Sequence, residues 1–586
     1  VVIRIPERGL PAAATLNYSP CVTKPAKRIS RTIAAGSAFG LYLILSVLFL
    51  GVRLPLTGWL LGIGNDPKSS VWFLTWWPWA IEHGYDPFWS HAVFAPAGYS
   101  MAWATSIATA SLLALPATLT VGPVAAFNLL TLAAPALAGA GCFALAFEIT
   151  ANRTASAIAG FLFAFSGFED GQLLGHLNLD LAFLVPIIVL LVYRRLEGGL
   201  SRNRFVVLLA AALVAQFGLS SELFATTVSL GLAVLLAATV LGRARRSVLI
   251  ECLGALLLTA LLITPMLASM WRGAADMPDF INSPLIYSND VLNLVVPTGA
   301  EWLAPLSLRN ISAQFTGNES EQDLYLGIPL LLMVLLFAFE RGHGRARLFV
   351  TAVFAGLVVA SLGPRLQIGG TRTAVPLPWA LVTHLPLLRG ALPCRIGLFV
   401  SLTASLAACI WMAAAFGGTR FHVLRRFALG CLACVFLTPG DVSRVWSSIS
   451  RPCLFQPEHR HDRALQSGPI LLLPFGSGDS MLWQAQARMG FSQAGGLLSF
   501  VPNSVARDPL TLPLLRNESE PNFGADLERF TRERDVSVVV AGPGTSDAEM
   551  GALRATGWAR ERVCADVVAF RRPGALPLDP AKGSRP

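Results

Sequence analysis

GIGNDPKSSVWFLTWWPWAIEHGYDPF, residues 62–88, follows the first long apolar run at 33–53, and its reading decides how the rest of the chain is counted. A stretch carrying Trp72, Trp76, Trp77 and Trp79 fits either a second membrane crossing or a helix lying in the headgroup layer, where Trp concentrates. Basic residues further along decide between the two.

The 586-residue chain is 54% hydrophobic and 14% charged, against roughly 25% charged residues in soluble domains. It reads as a polytopic membrane protein. The net charge of +10 does not point to nucleic acid, because Lys and Arg gather in short tracts between apolar runs, where they set topology. Runs able to cross about 30 Å of hydrocarbon fall at 33–53, 124–147, 155–168, 176–193, 204–220, 222–241, 248–270, 324–340, 347–362, 394–415 and 426–440. A further apolar stretch, 103–121, is ambiguous.

Six basic tracts mark the cytoplasmic side: Lys24 to Arg31, Arg153, Arg194 to Arg204, Arg243 to Arg246, Arg341 to Arg347, and Arg420 to Arg426. An even number of crossings must separate each tract from the next. Between Arg31 and Arg153 that leaves 33–53 and 124–147, so 71–82 and 103–121 lie on the outer face as interfacial helices. The fold expected is an all-α polytopic membrane protein of about eleven transmembrane helices, with the N-terminus inside and the C-terminus outside. Residues 1–32 form a cytoplasmic segment, 33–440 the transmembrane domain with its first outer loop at 54–123, and 441–586 a small outer α/β domain. In that tail PILLLPF, DVSVVVAGPG and CADVVAFRR read as strands and DAEMGALRAT as a helix. The N-terminal residues lack the pattern of a cleavable signal, so the first helix is expected to be an uncleaved anchor.

Most of the nine cysteines lie in apolar runs and read as small hydrophobes. Cys431 and Cys434 form a CxxC inside an expected span, which favours packing over redox or metal chemistry. Cys453 and Cys564, both on the outer side, are a candidate disulfide pair.

Parity puts Asp66 outside, at the mouth of the first helix. The segment SGFEDGQLLGHLNLD adds Glu169, Asp170 and His176 in the next outer connection. Ionisable groups at a membrane edge are costly enough to be functional candidates, and carboxylates beside an imidazole can act as general base, metal ligands or phosphate partners. Each has an ordinary alternative: a solvated loop for Glu169 and Asp170, a helix start for His176, an Asp-Pro turn for Asp66. Glu222 sits at a tight outer turn where a structural hydrogen bond is the simpler reading. Asp290, Glu301, Glu319 and Glu321 are loop acids, and Arg389 and Arg395 either clamp a phosphate or anchor the interface.

A first helix followed by an outer acidic residue, interfacial helices, a basic inner turn and a second outer acidic motif resembles the GT-C superfamily of polytopic membrane glycosyltransferases. FAPAGYSMAW, FSGFEDGQLLGHLNLD, YSNDVLNLVVP and LYLGIPLL are similar to uncharacterised bacterial membrane proteins grouped with it. The resemblance implies transfer of a sugar from a polyprenyl-phosphate donor to an envelope lipid, glycan or protein acceptor on the outer face of a bacterial inner membrane. It implies Asp66 as catalytic base, with Glu169 and Asp170 at the second acidic motif. Lys68, His176, Arg389 and Arg395 are then donor-phosphate candidates. A divalent cation, Mg or Mn, would draw on Asp66 and Asp170. The Trp-rich helix would anchor in headgroups or line the approach of the lipid donor. Two other readings remain: a lipid or glycan transporter or flippase, which would want charges near mid-bilayer, and a non-catalytic envelope assembly protein.

Overall fold

The computed structural model describes residues 24–278, 282–340, 344–385, 389–417, 419–440, 445–456, 463–518, 522–564 and 566–575. Among these, seven helices are long and apolar enough to cross a membrane: Arg31–Leu50, Pro123–Thr150, Leu177–Leu196, Arg202–Leu219, Ser221–Val240, Gly344–Ser361 and Pro393–Ala413. An eighth span is counted if Arg246–Leu262 and Thr264–Asp276, bent by 64°, are taken together. The chain is a multi-pass membrane protein. The remaining expected spans are helical but short: Arg153–Ala164, Gly327–Phe339 and Arg420–Phe436 have 12, 13 and 17 residues. The shortest covers only about 18 Å. It stops because Ser166 starts a new helix, Gly167–Gln172, by accepting the Glu169 N–H with its hydroxyl.

Ion pairs gather the basic tracts at one end. Glu148 binds Arg31 at 2.8 Å and Arg194 at 2.7 Å, so the start of the first long helix and the ends of the next two share a level. Arg195 holds Glu251 at 2.6 Å, and Arg426 pairs with Glu340. Helix contacts nearby depend on missing side chains, as is usual between membrane helices. A Cβ on Gly160 would overlap the Tyr42 hydroxyl and lie 2.8 Å from the Gly139 carbonyl oxygen.

The Trp-rich segment forms a helix, Asp66–Glu82, with Pro67 in its first turn, where a missing N–H costs nothing. It does not lie in a lipid interface. Trp72, Trp76 and Trp77 are buried in a core shared with the C-terminal region, and Trp72 donates its indole N–H to Gln484 at 2.7 Å. This corrects the expectation that these tryptophans face lipid: the Gly478–Gln486 helix packs over them. The second expected interfacial stretch differs. Its helices Ala108–Leu113 and Leu115–Val121 leave Leu112, Leu113, Leu119 and Val121 exposed.

The expected tail strands are present. Ile470–Leu473 runs parallel to Val538–Ala541, which pairs antiparallel with Val567–Arg571, itself antiparallel to Ala559–Cys564. The expected helix is Asp547–Ala555, closed at its start by a capping box of Ser546 and Glu549. The two parallel strands are buried throughout because each face meets a different core. Ile470, Leu472, Val538 and Val540 pack with Phe455 and Trp483, while Leu471, Leu473, Val539 and Ala541 join the core around Trp72. The tail therefore completes the first outer loop. Cys453 is disulfide-bonded; the side chain of Cys564, its expected partner, lies outside the described residues, although the strand it ends packs on the Cys453–Phe455 turn.

Candidate active site

Asp66 is brought to His176 by backbone contacts that only glycine permits. Gly62 has φ +112°, and a Cβ there would meet Pro67 at 2.8 Å and the Leu174 carbonyl oxygen at 3.3 Å. With no Cβ, the chain comes close enough for Ile63 N–H to donate to Leu174 C=O at 2.7 Å. Asn128 fixes the preceding turn, donating to the Leu56 and Trp59 carbonyls and accepting from Leu61 N–H. Strand Trp59–Leu61 also pairs with Trp446–Ser448. Asp66 then stands 3.2 Å from His176 Nε2, its side chain 65% exposed against 19% for the histidine.

Behind the exposed pair runs a buried polar chain. His176 Nδ1 meets Gln172 Oε1 at 2.8 Å; Gln172 Nε2 donates to Ser320 C=O at 2.7 Å and to Asp323 Oδ1 at 3.0 Å. Burial, then the neighbouring Glu321, pushes the Asp323 carboxyl well above its ordinary range. Burial acts the same way on Glu321, but Arg395 outweighs it and lowers that carboxyl.

Other expected residues are placed differently. Lys68 pairs with Asp479 at 2.8 Å, and Asn65 accepts the Gly478 N–H at 3.1 Å, so both hold the tail helix against the loop. Arg395 bridges Glu222 and Glu321. Arg395 is therefore engaged by two carboxylates and Lys68 by one. Arg389 is exposed just beyond residues 386–388, which are outside the described set. Asp290 and Glu301 serve structure: Asp290 caps Leu292 and accepts Gly370 N–H, and Glu301 accepts from Thr298, its carboxyl pushed by burial to about 7.

Glu169 and Asp170 are not at the exposed pair. They are 0% and 4% exposed, and none of their carboxyl oxygens has a hydrogen-bond donor. Burial, followed by Asp180, pushes Glu169 well above the ordinary range; burial, followed by Glu301, does so for Asp170. Glu169 and Asp180 face each other, a contact that becomes a hydrogen bond only when one carboxyl holds a proton. Both side chains are thus sealed from solvent, unlike that of Asp66.

The expected cation ligands are also not assembled. Among the described residues, the one group of three close donors is Glu321, Asp323 and Cys394, within 4.8 Å of one another. Arg395 already neutralises Glu321, the Cys394 thiol donates to it at 3.2 Å, and Gln172 occupies Asp323. A thiol in the set is also unsuited to Mg or Mn, which take oxygen ligands. These residues fit an ion-pair cluster better than a Mg or Mn site. Gln172 and Asp323 were not singled out in the sequence; the four-residue spacing of Gln172 and His176 within GQLLGH was the available signal.

The chain covers 87% of its own length and 69% of the apo oligosaccharyltransferase of Archaeoglobus fulgidus, with a TM-score of 0.52 at 11% identity. It has the GT-C fold. Structures of the same archaeal enzyme with Zn and sulfate, and with an inhibitory peptide and a dolichol-phosphate, superpose at TM-scores of 0.48 and 0.45, both at 12% identity. These cover 86% and 87% of this chain and 68% and 70% of theirs; the fold assignment rests on the apo structure. No protein-family model matches the sequence, and no curated protein does. Asp66 follows the first long helix, and Gln172 and His176 lie between Arg153–Ala164 and the span Leu177–Leu196.

Proposed function

We propose that this GT-C chain transfers a sugar from a polyprenyl-phosphate-linked donor to a hydroxyl of an envelope lipid, glycan or protein on the outer face of a bacterial inner membrane. In this reading it has about eleven spans, the N-terminus inside, and residues 441–586 as an outer α/β unit. The observation that carries the proposal is the open Asp66 carboxylate beside His176, at the edge of the membrane helices and backed by a buried polar chain. A base that is to meet an incoming acceptor must be accessible and within hydrogen-bond reach of its proton. Asp66 takes the acceptor proton, the acceptor oxygen bonds to the anomeric carbon, and the bond from that carbon to the phosphate oxygen breaks with its electrons leaving on the polyprenyl phosphate. Lys68, His176, Arg389 and Arg395 are the basic side chains assigned to that phosphate in this reading. The exposed leucines of 108–121 take over from the tryptophans as the lipid-facing surface by which the donor arrives.

The test is Asp66→Asn in full-length protein that inserts and accumulates normally. Loss of a general base predicts a fall in transfer of about 10²- to 10⁴-fold, read as glycosylated envelope products by mass spectrometry. Products at the wild-type level would end the catalytic assignment and move attention to transport or assembly.

A further inference from the structure

The contacts of Gln172 fix which ring nitrogen of His176 carries hydrogen. Gln172 is fully buried. One end of its amide lies 2.7 Å from the Ser320 carbonyl oxygen and 3.0 Å from Asp323 Oδ1. A carbonyl oxygen only accepts, so this end is the NH2 whatever the charge of Asp323. The other end is then oxygen, and it faces His176 Nδ1 at 2.8 Å. Nδ1 must therefore be the N–H.

We infer that Gln172, braced by Ser320 and Asp323, is a positioning residue that dedicates His176 Nε2 to proton exchange with Asp66. The inference rests on Asp66 being the base of the proposed transfer. With Nδ1–H bound to Gln172, the lone pair of neutral His176 is on Nε2, 3.2 Å from Asp66 Oδ2. A proton that Asp66 has taken from the acceptor can cross that contact: the Asp66 O–H bond breaks, Nε2–H forms, and a carboxylate faces an imidazolium. In the opposite tautomer Nε2 already holds hydrogen and cannot receive one. Glu222 and Glu321 lie close enough to interact with the charge of His176, so the imidazolium is not left unbalanced. Neither Gln172 nor Asp323 touches the open side of the pair, so their part is to orient.

The tautomer is readable without any activity. The probe is nitrogen-15 labelling of the histidine rings, of which the chain has 8, in full-length protein in lipid nanodiscs, with the His176 signals identified by their loss in His176→Asn. Neutral His176 is expected as the Nδ1–H form, the minor one in free histidine. Gln172→Leu, which cannot accept, should move it to Nε2–H and lower transfer on the order of 10⁴-fold, the scale of holding a catalytic histidine in the wrong tautomer. Gln172→Glu, which can accept from Nδ1–H, should restore the tautomer and part of the rate. A wild-type His176 in the Nε2–H form overturns the inference even if the variants fail to fold, and so does a Leu variant whose tautomer does not change. Failure of the glycosyltransferase reading is separate: it appears as transfer surviving Asp66→Asn, an experiment in which the tautomer plays no part.

Discussion

Replacing Asn65 and Lys68 together by Ala should loosen the C-terminal sheet from the first outer loop by an amount the structure sets. Asn65 receives the N–H of Gly478, the first residue of the Gly478–Gln486 helix. Without it that donor turns to water at a partly exposed site, a loss of about 0.5–1.5 kcal/mol. Lys68 and Asp479 are 21% and 33% exposed, so their pair is worth about 0.2–1 kcal/mol after solvent screening. Together these amount to roughly 1–2 kcal/mol, a factor of about 5–30 in the undocked population. The rest of the joint persists, because Trp72 still binds Gln484 and Phe94 N–H still donates to Gly495 C=O. Limited proteolysis within 441–586 measures that population when opening and closing outpace cleavage. The double variant should be cut about 5–30 times faster than wild type, with the Lys68 share fading at high salt. Transfer should fall in parallel, because Asp66 is the next residue along. Equal cleavage rates in the two proteins would refute the docking role of these side chains.

The remaining expectations concern buried groups. Glu169 and Asp170 have carboxyls raised by burial, so the folded state holds their protons more tightly than the unfolded chain does. Their contribution to stability is present at pH below the ordinary carboxyl range and is lost as pH rises through the raised values. Glu169→Gln and Asp170→Asn should each flatten the decline of the thermal midpoint toward alkaline pH, and slopes equal to wild type would count against protonated carboxyls. Gly160→Ala should cost about 1–3 kcal/mol by overpacking, with part recovered by adding Tyr42→Phe; an unchanged rate of thermal inactivation would show that the helices can separate freely there.

Much of the architecture was legible because charge placement is a global constraint on a membrane chain. Counting crossings between Arg31 and Arg153 left two spans there, and the described long apolar helices in that stretch are Arg31–Leu50 and Pro123–Thr150. The ion pairs of Glu148 with Arg31 and Arg194 hold those tracts at a common end. The tail strands were legible from continuous apolar runs. What escaped was pairing over long sequence separation. Lys68 and Arg395 have the charge to bind phosphate, and nothing local reveals that Asp479, Glu222 and Glu321 already hold them. The tryptophans of 72–79 look like interface residues because their cover comes from residues near 484, and Glu169 and Asp170 look like loop acids because their burial depends on elements far along the chain. Asn65 has its amide oxygen on Gly478 in place of capping its own helix, a contact over 413 positions that local sequence does not reveal.

The bond between Trp72 and Gln484 joins residues 412 positions apart, and this orders events during synthesis. At about 5–20 residues per second, the Trp-rich helix waits roughly 20–80 s after its own synthesis before the segment that covers it is translated. Throughout that interval the nascent chain presents bare indoles and an aspartate whose surroundings are incomplete. In the proposed reading, the surroundings of the Asp66 base are complete only after the segment around Gln484 has been made.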